Sequence, residues 1–170
     1  ADYINSATFQ ISVTGTNGQE SIQDFSINLS CPFTDTLQAS LCPATQASSV
    51  DTVFQPFEKG MMFWRGDTKK IYVFYTDGSW QEFADNWNGE ANPAPDELPQ
   101  GLIKPEQGFG KIWYEIGGTG VLGWATAAES SYTARWETYP VTDAGQVMLA
   151  PTFTLPDNRI IIAGLVWRYQ

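Results

Sequence analysis

The sequence predicts an all-β protein, in which an N-terminal β-hairpin precedes short antiparallel hairpin repeats that form a sandwich- or barrel-like domain. Short β-type segments bounded by Gly, Asn and Asp turns recur along the chain. Aromatic residues, which favour strands, are abundant, with 7 Trp, 7 Tyr and 10 Phe. Helical periodicity is nearly absent, and its best candidate, 125–131, is shorter than two turns. These observations together favour strands and turns.

Two stretches of alternating apolar and polar residues lie within residues 1–30. Between them is Asn17-Gly18, the strongest short signal for a hairpin turn. We therefore expect 1–30 to form a β-hairpin with one apolar face. Because an isolated hairpin is marginal in water, the rest of this chain or another chain must cover that face. The apolar positions are Ala7, Phe9, Ile11 and Val13 in the first stretch, and Phe25, Ile27 and Leu29 in the second.

The first stretch is also a candidate assembly strand. Residues 3–13 contain no Pro, Lys or Arg, which normally protect the edge strands of natural sheets from further pairing. A strand without this protection can add to a neighbour's sheet, as in donor-strand assembly. Pairing within one chain is the alternative, and the sequence leaves both open. The residues expected to make the contact are Ala7, Phe9, Ile11 and Val13.

Residues 31–53 are interpreted as a disulfide loop followed by a short linker. Cys31 and Cys42, the only 2 cysteines, are each followed by Pro in a segment rich in small residues. A local disulfide is favoured over two free thiols, and two thiols without His are too few for a tetrahedral zinc site. Closing a loop of about a dozen residues would contribute about 2.5–3 kcal/mol on the entropic model.

The net charge of −10, from 9 Lys and Arg against 19 Asp and Glu, excludes several partners and chemistries. Nucleic acids and anionic membrane surfaces are bound through clustered Lys and Arg, so neither is expected as a partner. The absence of His removes the usual general base near neutral pH and the commonest metal ligand. We therefore expect no enzyme activity, no catalytic residues, no metal and no cofactor. The chain has no apolar run long enough to predict a membrane span.

The segment 54–170 contains an internal repeat rich in Trp and Gly. The first unit covers 57–80, a shortened second unit covers 107–125, and a weaker third unit covers 136–167. Each unit is expected to be a β-hairpin in which Gly permits a bulge or a close approach. The aromatic residues of the units would then meet in a shared core.

Several Trp- and Gly-rich motifs carry a resemblance to a known type of module. They are Gln55-Pro56-Phe57-Glu58-Lys59-Gly60-Met61-Met62-Phe63-Trp64, Ile71-Tyr72-Val73, Asp77-Gly78-Ser79-Trp80, Gly108-Phe109-Gly110-Lys111-Ile112-Trp113 and Leu122-Gly123-Trp124-Ala125. With them, residues 31 to about 139 resemble a Trp/Gly-rich β-repeat module of secreted bacterial proteins and lipoproteins. A more distant similarity is to the LGFP repeats of cell-wall-associated proteins. The resemblance implies an extracellular, surface-associated β module and supplies no catalytic residues.

The aromatic side chains allow two interpretations. Exposed rings can stack on the apolar faces of pyranoses while Asp and Asn bind the hydroxyl groups. The candidate glycan platform consists of Tyr75, Trp80, Trp87 and Tyr114. In the other interpretation the repeat tryptophans form the core, which we expect for Trp64, Trp113 and Trp124.

A structural function is expected from these features. The chain begins with Ala1-Asp2-Tyr3 instead of Met, which is typical of a chain after removal of a signal peptide. We therefore expect a secreted bacterial protein at the cell surface, a subunit of an extracellular filament or surface assembly. Its partners would be copies of itself, joined by addition of the N-terminal strand. The alternative is a carbohydrate- or cell-wall-binding module that uses loop aromatics.

Overall fold

The computed structural model describes residues 6–33, 35–38, 41–92 and 97–170, and leaves the side chain of Asp143 undescribed. The start of the predicted assembly strand, 3–5, lies outside these residues. The described chain forms two antiparallel sheets and one α-helix. The all-β prediction is therefore confirmed, although the larger sheet stays open and does not close into a barrel.

The smaller sheet pairs β1 (Ser6–Thr14) with β2 (Glu20–Asn28). The larger sheet has eight strands in the order β10-β9-β8-β7-β3-β4-β5-β6. Its strands are β3 (Ser48–Phe57), β4 (Gly60–Arg65), β5 (Lys70–Tyr75), β6 (Trp80–Ala84), β7 (Ser130–Asp143), β8 (Gln146–Thr154), β9 (Ile160–Ala163) and β10 (Trp167–Tyr169). Helix α1 (Gln107–Glu115) lies between β6 and β7 in the chain. Strand β3 begins at Ser48, inside the segment interpreted as loop and linker.

The N-terminal hairpin has the predicted strands, turn and faces. Its register places Phe9 opposite Phe25 and Ala7 opposite Ile27, so these apolar side chains share one face. The turn between the strands contains Gly18 with a φ of 79°, a left-handed conformation that glycine adopts readily. The prediction of an N-terminal hairpin with one apolar face is therefore confirmed.

The larger sheet curls around an aromatic core. Phe153 of β8 stacks on Trp136 of β7 at 4.1 Å between ring centroids, and lies 4.9 Å from Phe63 of β4. Strands β8 and β4 are separated by β7 and β3, and neighbouring strands lie about 4.8 Å apart, so a flat sheet would keep these rings well apart. The curl therefore brings strands from both halves of the sheet together around one core.

The outer side of β4 and β5 is covered by helix α1 and the segment after it. Met62, Ile71 and Val73 point to this side and are fully buried against Phe109 and Trp113. Because these strands are buried on both sides, their sequences Met61–Trp64 and Ile71–Phe74 are continuous apolar runs without alternation.

The helix contradicts the prediction for the second repeat unit. The segment 107–113 was expected to be part of a repeat hairpin, and instead it forms most of α1. The segment 125–131, the expected best helical candidate, is irregular until β7 begins at Ser130. The second repeat unit therefore differs in structure from the first, whose residues form β4, β5 and the start of β6. Gly108 and Gly110 permit close packing of the helix. A Cβ on Gly108 would lie 2.7 Å from Asp85 Oδ1, and a Cβ on Gly110 would lie 2.6 Å from the Pro105 carbonyl oxygen.

Tryptophan side chains of the two outermost strands bond to backbone beside the opposite edge of the open sheet. The indole N–H of Trp80 in β6 donates to the carbonyl oxygen of Gly164 at 2.7 Å. The indole N–H of Trp167 in β10 donates to the carbonyl oxygen of Tyr75 at 2.7 Å. The backbone N–H of Trp167 donates to the carbonyl oxygen of Gly78 at 2.8 Å. The two edges thus meet at one end without forming a ladder. Within the described residues, no helix has the length and apolarity needed to cross a lipid bilayer.

Candidate functional site

The first candidate site is the apolar face of the N-terminal hairpin, which we call the hairpin face. Five of its side chains are between 44% and 60% exposed, and Ala7 is half-buried. These five are Phe9, Ile11, Val13, Phe25 and Ile27. Soluble proteins rarely leave such a contiguous apolar surface open unless it binds something.

The opposite side of the hairpin is mainly polar, with Ile22, which is 54% exposed, as its large apolar residue. Gln10 Nε2 donates to Asp24 Oδ1 at 3.1 Å, and the hydroxyls of Thr8 and Ser26 are 3.1 Å apart. Among the described residues, no hydrogen bond joins the hairpin to the larger sheet. The hairpin face therefore carries most of the exposed apolar surface of the hairpin.

The second feature is a two-stranded extension of the larger sheet, formed by 137–143 and 146–151, which we call the ribbon. Strand β8 pairs with β7 along the ribbon, whereas β9 pairs with β8 only from Thr152 to Thr154. No hydrogen bond among the described residues reaches the β8 backbone of the ribbon from the side away from β7. This stretch of β8 is therefore an open sheet edge.

One side of the ribbon is apolar and exposed. It continues the inner face of the sheet, because Leu149 lies opposite Pro140 on the same side as Trp136 and Phe153. Leu149 is 63% exposed and Val147 is 76% exposed. The inner face of the sheet thus continues past Trp136 and Phe153 as an exposed apolar surface on the ribbon.

The other side of the ribbon is covered by the disulfide loop. The Cys31–Cys42 bond is present, with a Cα–Cα distance of 5.4 Å, which confirms the predicted disulfide. The Leu37 N–H donates to both carboxylate oxygens of Glu137, at 3.0 and 2.9 Å, and the Gln38 N–H donates to the Tyr139 hydroxyl at 3.1 Å. Burial and the hydrogen bond to Glu137 raise the pKa of Tyr139 to about 12. The loop therefore leaves only one side of the ribbon open.

The third feature is a cleft of about 250 Å³, which we call the aromatic cleft. It lies where β4 and β5, the segment after β6 and the start of α1 meet. Trp64 Nε1 donates to Asp85 Oδ2 at 2.9 Å, and the Trp87 backbone N–H donates to Asp85 Oδ1 at 3.2 Å. Its lining consists of Val53, Trp64, Ile71, Asp85, Trp87, Gln107, Gly108, Phe109 and Glu129.

A braced loop holds Trp87 at the aromatic cleft. The indole N–H of Trp87 donates to the Glu90 carbonyl oxygen at 2.9 Å. Lys111 of α1 forms an ion pair with Glu90 at 2.7 Å and donates to the Asn86 carbonyl oxygen at 3.1 Å. The hydrogen bond from Lys111 lowers the pKa of Glu90 to about 2, so this pair stays charged at neutral pH. Trp87 is therefore positioned by both the loop and the helix.

The structure does not bring the four residues of the predicted glycan platform together. Tyr75 and Trp80 line one shallow depression, Trp87 lines the aromatic cleft, and Tyr114 is 57% exposed on α1 and lines neither. Trp80 also packs on the ring of Phe74 in the core, with centroids 6.0 Å apart.

The tryptophans expected in the core divide in a similar way. Trp113 and Trp124 are buried, as predicted, whereas Trp64 is only half-buried and also lines the aromatic cleft. The carboxylates of Asp85 and Glu129 were not singled out as partners of Trp87. No local signal in the sequence connects Glu129 to Trp87, because the two come from separate elements, whereas Asp85 lies two positions before Trp87 in the same loop.

Comparisons with protein-family models, with curated proteins and with solved structures find no match to this chain. In the part of the chain that the structure describes, no group of three or more Cys, Asp or Glu residues is arranged to hold a metal ion.

Proposed function

We propose that this protein is a structural subunit of an extracellular bacterial surface assembly, in which the N-terminal hairpin of one copy adds to the sheet of the next. The hairpin face is the observation that carries this proposal, because nothing from the described part of its own chain covers it. Strand β1 supplies both an unpaired backbone edge and most of this apolar face.

The size of the hairpin face suits an interface. Five side chains that are each about half exposed present on the order of 400–500 Å² of apolar surface. A standard protein interface buries about 800 Å² on each partner, so the hairpin face and the strand edge beside it approach that size. Covering them would also stabilise a hairpin that is marginal by itself.

The ribbon supports the proposal as the acceptor surface. Its β8 edge has no strand paired to it from Gln146 to Ala150 on the side away from β7, and Leu149 and Val147 project from one side of it. If β1 pairs with this edge, Phe9 and Ile11 lie beside these two side chains when the apolar sides are aligned. Neighbouring side chains on paired strands are about 5 Å apart, which is close enough for apolar contact.

The orientation of the added strand is restricted by the covered side of the ribbon. The disulfide loop lies on that side and the polar side of the hairpin would face the same way. A register shifted by one residue would place Phe9 on the polar side, which is unfavourable. The hairpin and ribbon are two different surfaces, so their contact joins copies head to tail, and it produces an open polymer when the successive rotations do not close a ring.

The extracellular setting rests on the disulfide and on the resemblance to modules of secreted bacterial proteins. Disulfides such as Cys31–Cys42 persist in oxidising compartments and are rare in the cytosol. The acidic chain, with a net charge of −10, also fits a protein that does not bind anionic polymers or membranes.

The test uses two variants that each disable one surface. Phe9→Glu places a charge on the hairpin face, and Leu149→Glu places one on the ribbon. Light scattering and negative-stain imaging of the unaltered chain should show polymers much larger than 18.8 kDa. Each variant by itself should remain a monomer. An equimolar mixture of the two should form a dimer and stop there, because only one competent hairpin and one competent ribbon edge remain.

Thr8→Glu is the matched control, because Thr8 is next to Phe9 and projects from the polar side of β1. It should leave assembly unchanged. A monomeric unaltered chain at all concentrations would contradict the proposal, as would polymers that persist in Phe9→Glu. Polymers that require Phe9 but tolerate Leu149→Glu would retain the hairpin as donor and reject the ribbon as acceptor.

A further inference from the structure

We propose that the aromatic cleft binds one uncharged pyranose unit of a carbohydrate, with the ring of Trp87 as the stacking surface. This inference is independent of the assembly proposal. It uses different residues from the glycan platform expected from the sequence, and shares only Trp87 with it. The ligand class follows from the shape, the lining and the charge of the cleft.

The lining of the cleft is divided between apolar and polar groups. Val53, Ile71 and Phe109 form apolar walls, whereas Asp85, Gln107 and Glu129 provide oxygen and amide groups. A pyranose has the same division, with apolar C–H faces and a rim of hydroxyl groups. A volume of about 250 Å³ is near the lower limit for small-molecule sites, about 300 Å³, and therefore suits a single sugar ring.

The charge of the lining favours a ligand that donates hydrogen bonds and carries no negative charge. Asp85 and Glu129 are the charged side chains of the lining, and carboxylates only accept hydrogen bonds. Sugar hydroxyls can donate to them. An acidic sugar would be repelled, and the nearby cation of Lys111 is already paired with Glu90. Desolvation at Glu129 and the charge of Glu106 raise the pKa of Glu129, so added negative charge would be unfavourable there.

A cationic ligand is disfavoured because the chain supplies its own cation to the neighbouring ring. Lys69 Nζ lies 4.7 Å from the centroid of the Trp64 ring, and Trp64 Nε1 is held by Asp85. Trp64 is thus engaged by Lys69 and Asp85, whereas the hydrogen bonds of Trp87 are made through its backbone and its indole N–H, and the residue lines the cleft. The ring surface of Trp87 therefore remains available for stacking.

The geometry of the cleft is fixed before any ligand binds. Gln107 begins α1 with a φ of 50°, an uncommon conformation for a residue with a side chain, and its carbonyl oxygen accepts a bond from Asn92 Nδ2 at 2.9 Å. Backbone strain of this kind is often found at ligand-binding positions. The hydrogen bond between Asn92 and Gln107 and the ion pair between Lys111 and Glu90 hold the two ends of the cleft in place. Binding of a sugar would therefore not have to order these segments.

The test is a titration of the full-length chain carrying Phe9→Glu, which keeps it monomeric and lies outside the cleft, followed by ¹H–¹⁵N correlation spectra. The probes are methyl glucoside, methyl galactoside, methyl mannoside and N-acetylglucosamine. At least one should shift the indole N–H signals of Trp64 and Trp87, with a dissociation constant on the order of 1 mM, as expected for one stacked ring with a few hydrogen bonds. Methyl glucuronide, which is anionic, should bind more weakly than the corresponding glucoside.

Three variants connect the signal to the site. Trp87→Ala should weaken binding by about tenfold, because it removes the stacking surface. Trp87→Phe keeps an aromatic ring and should retain most of the affinity, which separates stacking from loss of the fold. Tyr114→Ala is the matched control, since Tyr114 is exposed on α1 and does not line the cleft. It should bind the probe like the unaltered chain.

Specific results would overturn the inference. One is the absence of any shift with all four neutral probes, and another is equal binding by Trp87→Ala and the unaltered chain. Tetramethylammonium that shifts the same signals at lower concentration than every sugar would replace the proposed ligand class with a cation. None of these outcomes bears on polymer formation, which is measured separately.

Discussion

Replacing Gly60 with alanine is expected to destabilise the protein by about 3 kcal/mol or more, at the upper end of the cost of overpacking a core. A Cβ at this position would overlap the carbonyl oxygen of Phe74 and lie 2.8 Å from Leu122 Cδ1. Gly60 also has a φ of 155°, which disfavours other residues. Since the overlapping oxygen belongs to the backbone of β5, no side-chain rotation can relieve the clash.

Denaturant unfolding monitored by tryptophan fluorescence measures this effect as a lower midpoint with an unchanged slope. Gly120→Ala is the matched control, because no atom lies within 4 Å of the position of its Cβ. Its effect should stay within about 0.5 kcal/mol. Similar stability of the two variants would show that the β4–β5 pair can separate to admit a methyl group, contrary to the observed register.

Replacing Arg135 with methionine is expected to cost about 3 kcal/mol, because it leaves a buried carboxylate without its cation. The Glu137 side chain is 0% exposed, and Arg135 Nη2 lies 2.9 Å from Glu137 Oε1. Arg135 also reaches Asp35 in the disulfide loop, with Nη1 2.8 Å from Oδ1. The change therefore removes both the counter-charge of Glu137 and one attachment of the loop that covers the ribbon.

The exposed pair of Arg159 and Asp157 supplies the control. Their side chains are each 52% exposed, and Arg159 Nε lies 2.7 Å from Asp157 Oδ2. Arg159→Met should cost less than about 1 kcal/mol, since water already solvates both charges. Thermal unfolding of the two variants under the same conditions gives the comparison. Equal losses would mean that the charge on Glu137 is stabilised without Arg135, by its bonds to the Leu37 N–H and the Tyr139 hydroxyl.

Local pattern was sufficient to predict the parts of the fold that are stabilised by neighbours in sequence. The hairpin, its turn and its apolar face follow from alternation over 7–13 and 25–29 and from Asn17-Gly18. The disulfide follows from two closely spaced cysteines, and the β5–β6 turn follows from Asp77-Gly78. In each case the contact that decides the structure lies within a short stretch of chain.

Helix α1 shows where that reasoning failed. Two glycines at 108 and 110 each cost a helix about 1 kcal/mol relative to alanine, and this propensity favoured a turn or hairpin. Packing overrides the cost, because larger side chains would meet Asp85 and Pro105. A usable signal was nevertheless present, since Phe109, Ile112 and Trp113 have helical spacing and are buried together.

The candidate sites were only partly predictable. Trp87 could be proposed as a binding residue because it lies in a polar loop, but Trp64, which also lines the cleft, lies in an apolar run that is typical of core. Their proximity depends on the pairing of β4, β5 and β6, which no local motif specifies. The open edge at Gln146–Ala150 likewise depends on β9 ending its pairing with β8 at Thr152, which is a property of the sheet.

The indole hydrogen bonds that join the two edges of the larger sheet bear on the rate of folding. Trp80 and Gly164 are 84 positions apart, and Trp167 and Tyr75 are 92 positions apart. Ordering such long stretches of chain costs loop-closure entropy before these contacts contribute anything. All-β proteins with many distant contacts fold in about milliseconds to seconds. We therefore expect the meeting of the two edges to be a late step in folding and an early one in unfolding.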